Sequence, residues 1–554
     1  MFGARGIEIT FTLKKSVLLL GIAAVICSTA AAEQPPTISF TSGTGQLIVR
    51  GKPFLVLGGE LANSSAGTAA QADTILPKLA QMHINTVLMP VAWEQIEPAE
   101  GHFDFSILDR WTEVARKQNL HLVILWFGSW KNAFSEYAPD WVKSDTARFP
   151  RAISAEGLPT EILSTFGGET VRSDARAFGA LMRHIREIDA EQQTVVMVQV
   201  ENEIGFLGRG GRDRSAAANR AFQGTVPSEL TRGLEQHRLQ LSPELAESFK
   251  SGGHTWSEVF GANADEVFMA WHYAVFVNKV AQAGKKEYAL PMYLNAQLPA
   301  PLERAGEYPS GGPHPYYQEV YRIGAPSIDF YSPDIYWPNF DYWVQRYQSA
   351  RNPVFVPEAR LDSAPYNALY AYGQARAFGF SPFGVDSESR ASKQSDAKPE
   401  LSDFYAVLAD LSDVILDKQE HDQCRGLVVH ANSSRPTQTV ALGGYLFEAT
   451  LSRSWPAKSL LTDDGAVMVL EMKPDEFYLV GAGLTVSVFR DPDTDDRTAG
   501  IASIEQISKA NGQWVVDRRL NGDESNQGRQ LLMDARTIHV YRVKLYTYSD
   551  VRSH

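Results

Sequence analysis

The stretch at residues 194–205, TVVMVQVENEIG, constrains the fold of this chain more than any other part of its sequence. Its first half is a continuous run of β-branched and apolar residues, which is typical of a strand buried on both faces. The run ends in Gln199, Glu201, Asn202 and Glu203, and such amide and carboxyl groups are costly to bury without partners. Because (β/α)8 enzymes carry their catalytic groups at the carboxyl ends of barrel strands, the stretch predicts a barrel strand that ends in catalytic residues.

The surrounding sequence supplies the rest of a barrel. Strands and helices alternate over residues 54–416, and this alternation predicts a parallel sheet. Eight strands are predicted at 54–58, 84–93, 120–128, 194–198, 288–295, 327–336, 354–358 and 381–385. Helices are predicted at 74–83, 105–118, 174–189, 265–282, 339–351, 366–378 and 401–416. We therefore expect a (β/α)8 TIM barrel as the catalytic domain over residues 33–416, with a short entry strand at 36–49.

Two regions depart from the alternating pattern. An insertion at about 206–260, rich in Gly, Arg and Ser and with one predicted helix at 243–250, follows the fourth strand. Its position on the active face fits a lid or subsite wall, and it fits a surface excursion equally well. Residues 425–548 consist of short alternating runs separated by Gly, Asp, Asn and Pro. They predict an all-β C-terminal domain, most simply a β-sandwich over residues 417–554.

Composition and the N-terminus define the expected compartment and partners. The net charge of −13 argues against nucleic acid and anionic membranes as partners. Lys14 and Lys15, the apolar run at 17–26 and the alanines at 30–32 predict a signal peptide over residues 1–32 and export to the periplasm or the exterior. The apolar run of about ten residues is too short for a membrane span of about 20, so we expect no span after cleavage. Only Cys424 then remains and the histidines are scattered, so neither a metal nor a cofactor is predicted.

The second carboxyl group is Glu358, in the stretch PVFVPEAR. Residues 354–356 read as a buried strand and Pro357 ends its hydrogen bonding, so Glu358 should emerge at the same rim as Glu203. An ion pair with Arg351 or Arg360 is the alternative. Hydrolysis of a glycoside needs two carboxyl groups that face each other across a sugar. Glu201 should share the strand face of Glu203 and is interpreted as a buried supporting acid.

The motifs around these acids resemble those of glycoside hydrolase family 35, the retaining (β/α)8 β-galactosidases. The resemblance covers roughly residues 47–386 and rests on QVENEIG, NTVLMPVAWEQIEPAEGHFDF and APDWVKSDTARFPR. The β-rich tail resembles the bacterial branch with an extra C-terminal β domain. The resemblance implies that Glu203 is the general acid/base, that Glu358 is the nucleophile and that Asn202 holds the sugar 2-OH. Three places depart from the family pattern. The family usually has tyrosine where this chain has Ile204, and the segment at residues 93–98 and the stretch LWFGSWKN also differ from it.

Further residues at predicted strand ends are candidates for substrate contact. Trp93 and Trp130 offer aromatic faces for a pyranose ring, and the resemblance implies that Tyr336 touches the nucleophile. The candidates that carry donors or acceptors for sugar hydroxyls are Glu60, Lys131, Asn132 and Asn295.

The sequence thus predicts an exported retaining exo-β-galactosidase acting on galactoside oligo- and polysaccharides of plant type, for example xyloglucan side chains. A β-glucosidase, α-L-arabinosidase or endo-glucanase with the same mechanism is the alternative, followed by an inactive carbohydrate-binding barrel. The C-terminal β domain either binds sugar or packs on the barrel, and packing is the favoured interpretation.

Overall fold

A computed structural model describes Met1, Gly3 and residues 34–41, 44–349, 351–387, 400–494 and 497–549. Nearly all of the predicted signal peptide therefore lies outside the described residues. Among the helices described, none combines the length and the apolar character that crossing a bilayer would require.

The described residues contain a closed parallel barrel. Nine strand segments form one sheet, and two of them are halves of one barrel strand. In chain order, the barrel strands are Val56–Glu60, Thr86–Ala92, His121–Lys131, Val195–Asn202, Met292–Gln297, Phe330–Ile335, the divided seventh strand and Gly379–Phe380. The seventh strand is divided at Pro357, which has no N–H to donate. Its first half, Phe355–Val356, pairs with the eighth strand, and its second half, Glu358–Ala359, pairs with the sixth. The (β/α)8 prediction is confirmed.

The eighth strand lies earlier than predicted. The sequence favoured residues 381–385, but the paired residues are Gly379–Phe380, beside the first strand. Pro382 cannot extend the ladder, and beyond it only Phe383 forms an isolated bridge, to Glu60.

An N-terminal antiparallel sheet closes one end of the barrel. Its strands are Thr37–Thr41, Thr44–Val49 and Lys52–Phe54. Leu47 and Val49 from this sheet pack among the apolar side chains that fill the barrel interior, including Val56, Tyr293 and Phe355. The interior is therefore a packed core at this end, as expected for a barrel of this size.

Helices surround the barrel and fill its loops. They are Ala69–Gln81, Trp93–Ile96, Ser106–Lys117, Asp140–Ser144, Gly168–Asp189, Ala216–Gln223, Ser228–Gln236, Pro243–Ser248, Trp256–Phe260, Ala264–Glu287, Gln318–Gly324, Phe340–Tyr347, Ala364–Gly373 and Leu401–Glu420. Short 3-10 helices occur at Arg238–Gln240, Gly261–Asn263, Pro315–Tyr317, Leu361–Ser363 and Gly522–Ser525. The helix predicted to end at residue 416 continues to Glu420.

The insertion is more ordered than its composition indicated. The sequence predicted one helix at 243–250, whereas four α-helices lie between Ala216 and Phe260. Ser215, Ser242 and Thr255 accept backbone N–H bonds at the starts of three of them, as N-caps do. These helices are too short for a periodic apolar pattern to stand out in the sequence. A separate antiparallel pair, Arg151–Ile153 with Pro159–Leu163, was also missed.

The C-terminal region is a sandwich of two antiparallel sheets, as predicted. The order in the first sheet is Cys424–His430, Asp464–Lys473, Glu476–Ala482, His539–Tyr548, Thr498–Ala510 and Gln513–Leu520. The second sheet contains Thr437–Leu442, Tyr445–Leu451, Leu484–Arg490 and Gln530–Leu532. Apolar side chains from both sheets, such as Val469 and Phe447, form a shared core.

The β domain packs directly on the barrel, while the alternative that it binds sugar is not tested by this contact. Glycines make the approach close: a Cβ on Gly373 would lie 2.6 Å from the carbonyl oxygen of Arg425, and one on Gly426 would lie 2.9 Å from the Gln374 nitrogen. Across the same contact, the Gly426 N–H donates to Gln374 Oε1 at 3.3 Å. Larger side chains at these glycines would push the two domains apart.

Candidate active site

The structure brings Glu203 and Glu358 together at the carboxyl rim of the barrel. One carboxylate oxygen each of Glu203, Glu358 and Asp334 lies within 4.8 Å of the other two. Glu203 is 3% exposed and Glu358 is 6% exposed. Carboxyl groups that act together in retaining glycosidases lie about 5–5.5 Å apart, so the spacing fits that reaction.

Glu203 is held on three sides. The Asn132 side chain donates to Glu203 Oε2 at 2.5 Å, and the backbone N–H of Glu203 donates to Asn295 Oδ1 at 2.9 Å. Its carbonyl oxygen accepts the Ala133 N–H at 3.1 Å. Asn132 and Ala133 both have positive φ, which is uncommon for residues other than glycine. Such strained turns persist where neighbouring contacts hold them, and here they fix the carboxyl group of Glu203.

Glu201 does not share the environment of Glu203, contrary to expectation. Both residues have positive φ, 60° and 45°, and this breaks the side-chain alternation of a regular strand. The Glu201 carboxylate instead accepts the Trp130 N–H at 2.8 Å beside the buried Asp174. Burial and the Asp174 charge raise the pKa of Glu201 well above its usual range. Glu201 therefore supports the loop that carries Lys131 and Asn132, which fits the predicted supporting role.

The pKa of Glu203 is raised to about 7, mainly by burial and then by the charge of Glu358. Lys131 and a hydrogen bond with Asp334 oppose the rise. A carboxyl group with this pKa holds a proton near neutral pH and can release it during a reaction. Glu203 thus has the electrostatics of a general acid.

Glu358 accepts a short hydrogen bond from the Tyr336 hydroxyl through Oε1. Its Oε2 is buried and has no hydrogen-bond partner in the described residues. Burial and the charge of Glu358 raise the pKa of Tyr336, so the hydroxyl stays a donor. The predicted contact between Tyr336 and this acid is present.

Asp334, which the sequence analysis missed, is a third buried acid in the centre. It lies in the sixth barrel strand, and its Oδ2 accepts from Asn295 Nδ2 at 2.7 Å. Burial, and then the charges of Glu358, Glu203 and Glu60, raise its pKa well above the usual range. A carboxyl residue at the end of a buried strand was the signal that identified Glu203, and the stretch FYSPDIYW carries the same signal.

Glu60 and Asn202 keep polar atoms available beside these acids. Both residues are buried, yet Glu60 Oε1 and both side-chain polar atoms of Asn202 have no hydrogen-bond partner in the described residues. Burial raises the pKa of Glu60, with help from Glu358 and against the effect of Lys131. Because unpaired buried polar atoms are costly, they are suited to receive the hydroxyls of a bound sugar.

The remaining polar candidates have distinct positions. Lys131 is buried with its ammonium group 5.1 Å from the ring centre of Phe127, and its charge acts on Glu60 and Glu203. Asn295 bridges the Glu203 backbone and Asp334, and Asn132 holds the Glu203 carboxylate. Direct sugar contact by Lys131, Asn132 and Asn295 stays a prediction.

Trp93 and Trp130 do not form the expected sugar platform. Both are 0% exposed. The Trp93 indole N–H donates to Glu97 at 2.9 Å, and that of Trp130 donates to the Leu163 carbonyl at 3.1 Å. Trp130 also packs edge-on against Tyr273. Their rings point into the layer between strands and helices, a direction that sequence position alone does not determine.

The three acids are also the only described group that could hold a metal ion. Carboxylate oxygens are ligands for hard cations such as Ca²⁺ and Mg²⁺. The sequence predicted no metal, and this stays a prediction.

Two parts of the chain match family models. Residues 63–249, which include Glu203, match the glycoside hydrolase family 42 model, described as β-galactosidase. This stretch is therefore similar to that family, and the paired acids in the barrel are the groups that hydrolysis of a glycoside requires. The match does not confirm the resemblance to family 35. Residues 401–532 match a domain of unknown function, and no curated protein matches the chain significantly.

Solved β-galactosidase structures resemble the chain at low identity. The enzyme of the psychrophilic Marinomonas ef1 is 13% identical with a TM-score of 0.41, over 66% of this chain and 61% of that one. The cold-adapted enzyme of Rahnella sp. R3 is 14% identical with a TM-score of 0.43, over 66% and 57%. The chain thus covers less than two thirds of both. The enzyme of Bacillus circulans sp. alkalophilus is 11% identical with a TM-score of 0.49, over 88% and 99%.

Proposed function

We propose that this protein is a glycoside hydrolase, namely a retaining exo-β-galactosidase that removes terminal β-D-galactosyl residues from plant-type oligo- and polysaccharides, such as xyloglucan side chains. The observation that carries the proposal is the close approach of buried Glu203 and Glu358. The match of residues 63–249 to a β-galactosidase model supports galactose as the sugar. Export, as the N-terminal sequence predicts, would bring the enzyme to such polymers.

In the first step, the Glu358 carboxylate attacks the anomeric carbon and forms a glycosyl-enzyme while the glycosidic bond breaks. Glu203 gives its proton to the departing oxygen. The Tyr336 hydrogen bond orients one oxygen of Glu358 and leaves Oε2 for the attack. Asn202 would bind the 2-OH through its unpartnered amide, an interaction that strengthens toward the transition state.

In the second step, the ester at Glu358 no longer carries the negative charge that raised the pKa of Glu203. Glu203, now ionised, takes a proton from water, and the water oxygen attacks the anomeric carbon. The Glu358 carboxylate is released, and the product keeps the β configuration.

Hydrolysis of 4-nitrophenyl β-D-galactoside by the mature chain tests the proposal, beside the β-glucoside, the α-L-arabinoside and the Glu358→Ala protein. We expect the galactoside to be the best substrate and Glu358→Ala to lose at least about 10³-fold in kcat. Exposed Glu191, in the turn that precedes the fourth barrel strand, supplies the control Glu191→Ala, which should keep full activity. Better turnover of the glucoside would reject the assigned sugar, and first-formed α-galactose in proton NMR would reject retention.

A further inference from the structure

A polar cleft lies between the active face of the barrel and the β domain. It has a volume of about 500 Å³, within the range of about 300–1,000 Å³ that is usual for small-ligand sites. Trp337, Arg360 and Asn367 line it from the barrel, and His430, Asn432 and Gln438 line it from the β domain. The β domain is thus one wall of the cleft.

Two residues that line the cleft are close neighbours in sequence of catalytic-centre residues. Trp337 directly follows Tyr336, whose hydroxyl binds Glu358, and Arg360 lies two residues beyond Glu358. Consecutive Cα atoms are about 3.8 Å apart. A ligand unit in the cleft would therefore adjoin a sugar held at the paired acids.

The order of the strands around the barrel shows which strands lie on each side of the acid pair. Glu203 directly follows the fourth strand and Glu358 belongs to the seventh, so strands five and six lie on one side of the pair and strands eight, one, two and three lie on the other. The second side carries unpartnered Glu60 Oε1 and a cavity of about 610 Å³ beside Lys131 and Asn132. If the terminal galactose occupies that side, the rest of the saccharide extends past strand six toward the cleft.

The lining of the cleft offers sugar units an aromatic ring and amide groups, beside Asp341 and the ion pair of Arg360 with Asp362. Trp337 is partly exposed, and its indole N–H is fixed by the Leu298 carbonyl at 3.2 Å, which orients a ring able to pack on a pyranose face. Asn367 is 5% exposed; its Nδ2 donates to Ser363 at 3.2 Å while its Oδ1 has no partner in the described residues. Asn432 and Gln438 add amide donors and acceptors.

The wall on the β domain is held in position. His430 Nδ1 lies 2.7 Å from Asp464 Oδ1, which joins two neighbouring strands at the edge of the cleft. The close glycine contacts at Gly373 and Gly426 hold the same sheet against the barrel.

We propose that the cleft is a leaving-group subsite and that the β domain binds the uncharged saccharide units to which the galactose is attached. This rests on the proposed function. The β domain, which matches a domain of unknown function, is then part of the substrate-binding surface as well as a packed support.

The test compares two substrates in each variant: 4-nitrophenyl β-D-galactoside and a galactosylated xyloglucan oligosaccharide. For Gln438→Ala and for Asn432→Ala, the ratio of kcat/KM on the oligosaccharide to that on the nitrophenyl galactoside should fall about fivefold, as for a lost neutral hydrogen bond, chiefly through KM. Trp337→Ala should lower the ratio further. Gln513→Ala, an exposed amide of the β domain outside the cleft, should leave the ratio unchanged.

An unchanged ratio in all three cleft variants would overturn the proposal. Calorimetric titration of the oligosaccharide into the Glu358→Ala protein, with and without Gln438→Ala, separates this result from a failure of the proposed function. If the wild type cleaves neither substrate, the proposed function fails, and the titration decides the role of the cleft. Binding that weakens about fivefold with Gln438→Ala supports the subsite, whereas equal binding or no binding rejects it.

Discussion

At the closed end of the barrel interior, the apolar side chains of Leu47, Val56 and Phe355 pack against one another. At the open end, Asn202 and Glu358 are also buried but keep polar atoms without partners in the described residues. Phe355 and Glu358 belong to the two halves of the same barrel strand. The closed end contributes stability through packing, while the open end carries a free-energy cost that substrate binding can offset.

The largest expected effect is on catalysis at the open end. Glu203→Gln should reduce hydrolysis of a galactosyl saccharide at least about 10³-fold, because neither the leaving oxygen nor the attacking water can exchange a proton. The loss should be smaller for the glycosylation of 4-nitrophenyl β-D-galactoside, whose leaving group needs little protonation. Azide, which needs no general base, should restore turnover and yield β-galactosyl azide. An α-galactosyl azide would instead indicate that Glu203 is the nucleophile.

The same variant should not lose stability. The pKa of Glu203 is raised from 4.5 to about 7 in the fold, so its stabilising contribution is present below pH 4.5 and is lost as pH rises through 7. Glutamine does not ionise, so at pH 8 the free energy of unfolding of Glu203→Gln should exceed that of the wild type by on the order of 3 kcal/mol. Urea unfolding at pH 5 and pH 8 measures the difference, and an equal pH dependence in both proteins would contradict it.

At the closed end, a substitution should lower the stability of the fold and have less effect on catalysis. Phe355 stacks on Phe378 with ring centres 5.2 Å apart and meets Tyr293 edge-on at 5.4 Å. Phe355→Ala should reduce the free energy of unfolding by about 3–5 kcal/mol, measured by urea denaturation. Phe355→Leu, which keeps most of the volume, is the matched control and should lose less. A large drop in kcat of the folded variant, without loss of stability, would contradict the separation of the two ends.

A smaller effect is expected where a neutral amide holds the general acid. Asn132→Gly keeps the positive φ of 49° accessible but removes the bond to Glu203 Oε2. We expect kcat to fall about fivefold with little change in the melting temperature. Asn119→Gly is the matched control, since Asn119 also has a positive φ, 58°, but is exposed and precedes the third barrel strand, at the opposite end from Asn132. No change in kcat would show that the Asn132 bond does not position the acid.

The smallest expected change concerns the pH profile. Asp334 contributes a hydrogen bond that lowers the pKa of Glu203, so Asp334→Ala should move the basic limb of kcat/KM to higher pH. Asp334→Asn retains a donor and should restore the wild-type limb. If alanine and asparagine shift the limb equally, the hydrogen bond is not the cause.

Much of the barrel was predictable because its signals are local. Buried strands such as Val195–Asn202 are continuous apolar runs, and Glu203 and Glu358 stand out as acids where such runs end. The eighth strand was misplaced because two paired residues leave no periodic pattern. The helices of the insertion were missed for the same reason. Asp334 also lies at the end of a buried strand, so the same sequence signal could have identified it.

The sequence by itself determined the order of strands and helices, the β-sandwich and the two acids at strand ends, since these depend on residue type and spacing. Only the tertiary structure decided the partners of each side chain. It placed Trp93 and Trp130 in the core, brought Asp334 beside Glu203 and set the β domain against the helix Ala364–Gly373. These outcomes depend on backbone angles such as the positive φ of Glu203 and on contacts between residues far apart in the chain, which no local pattern records.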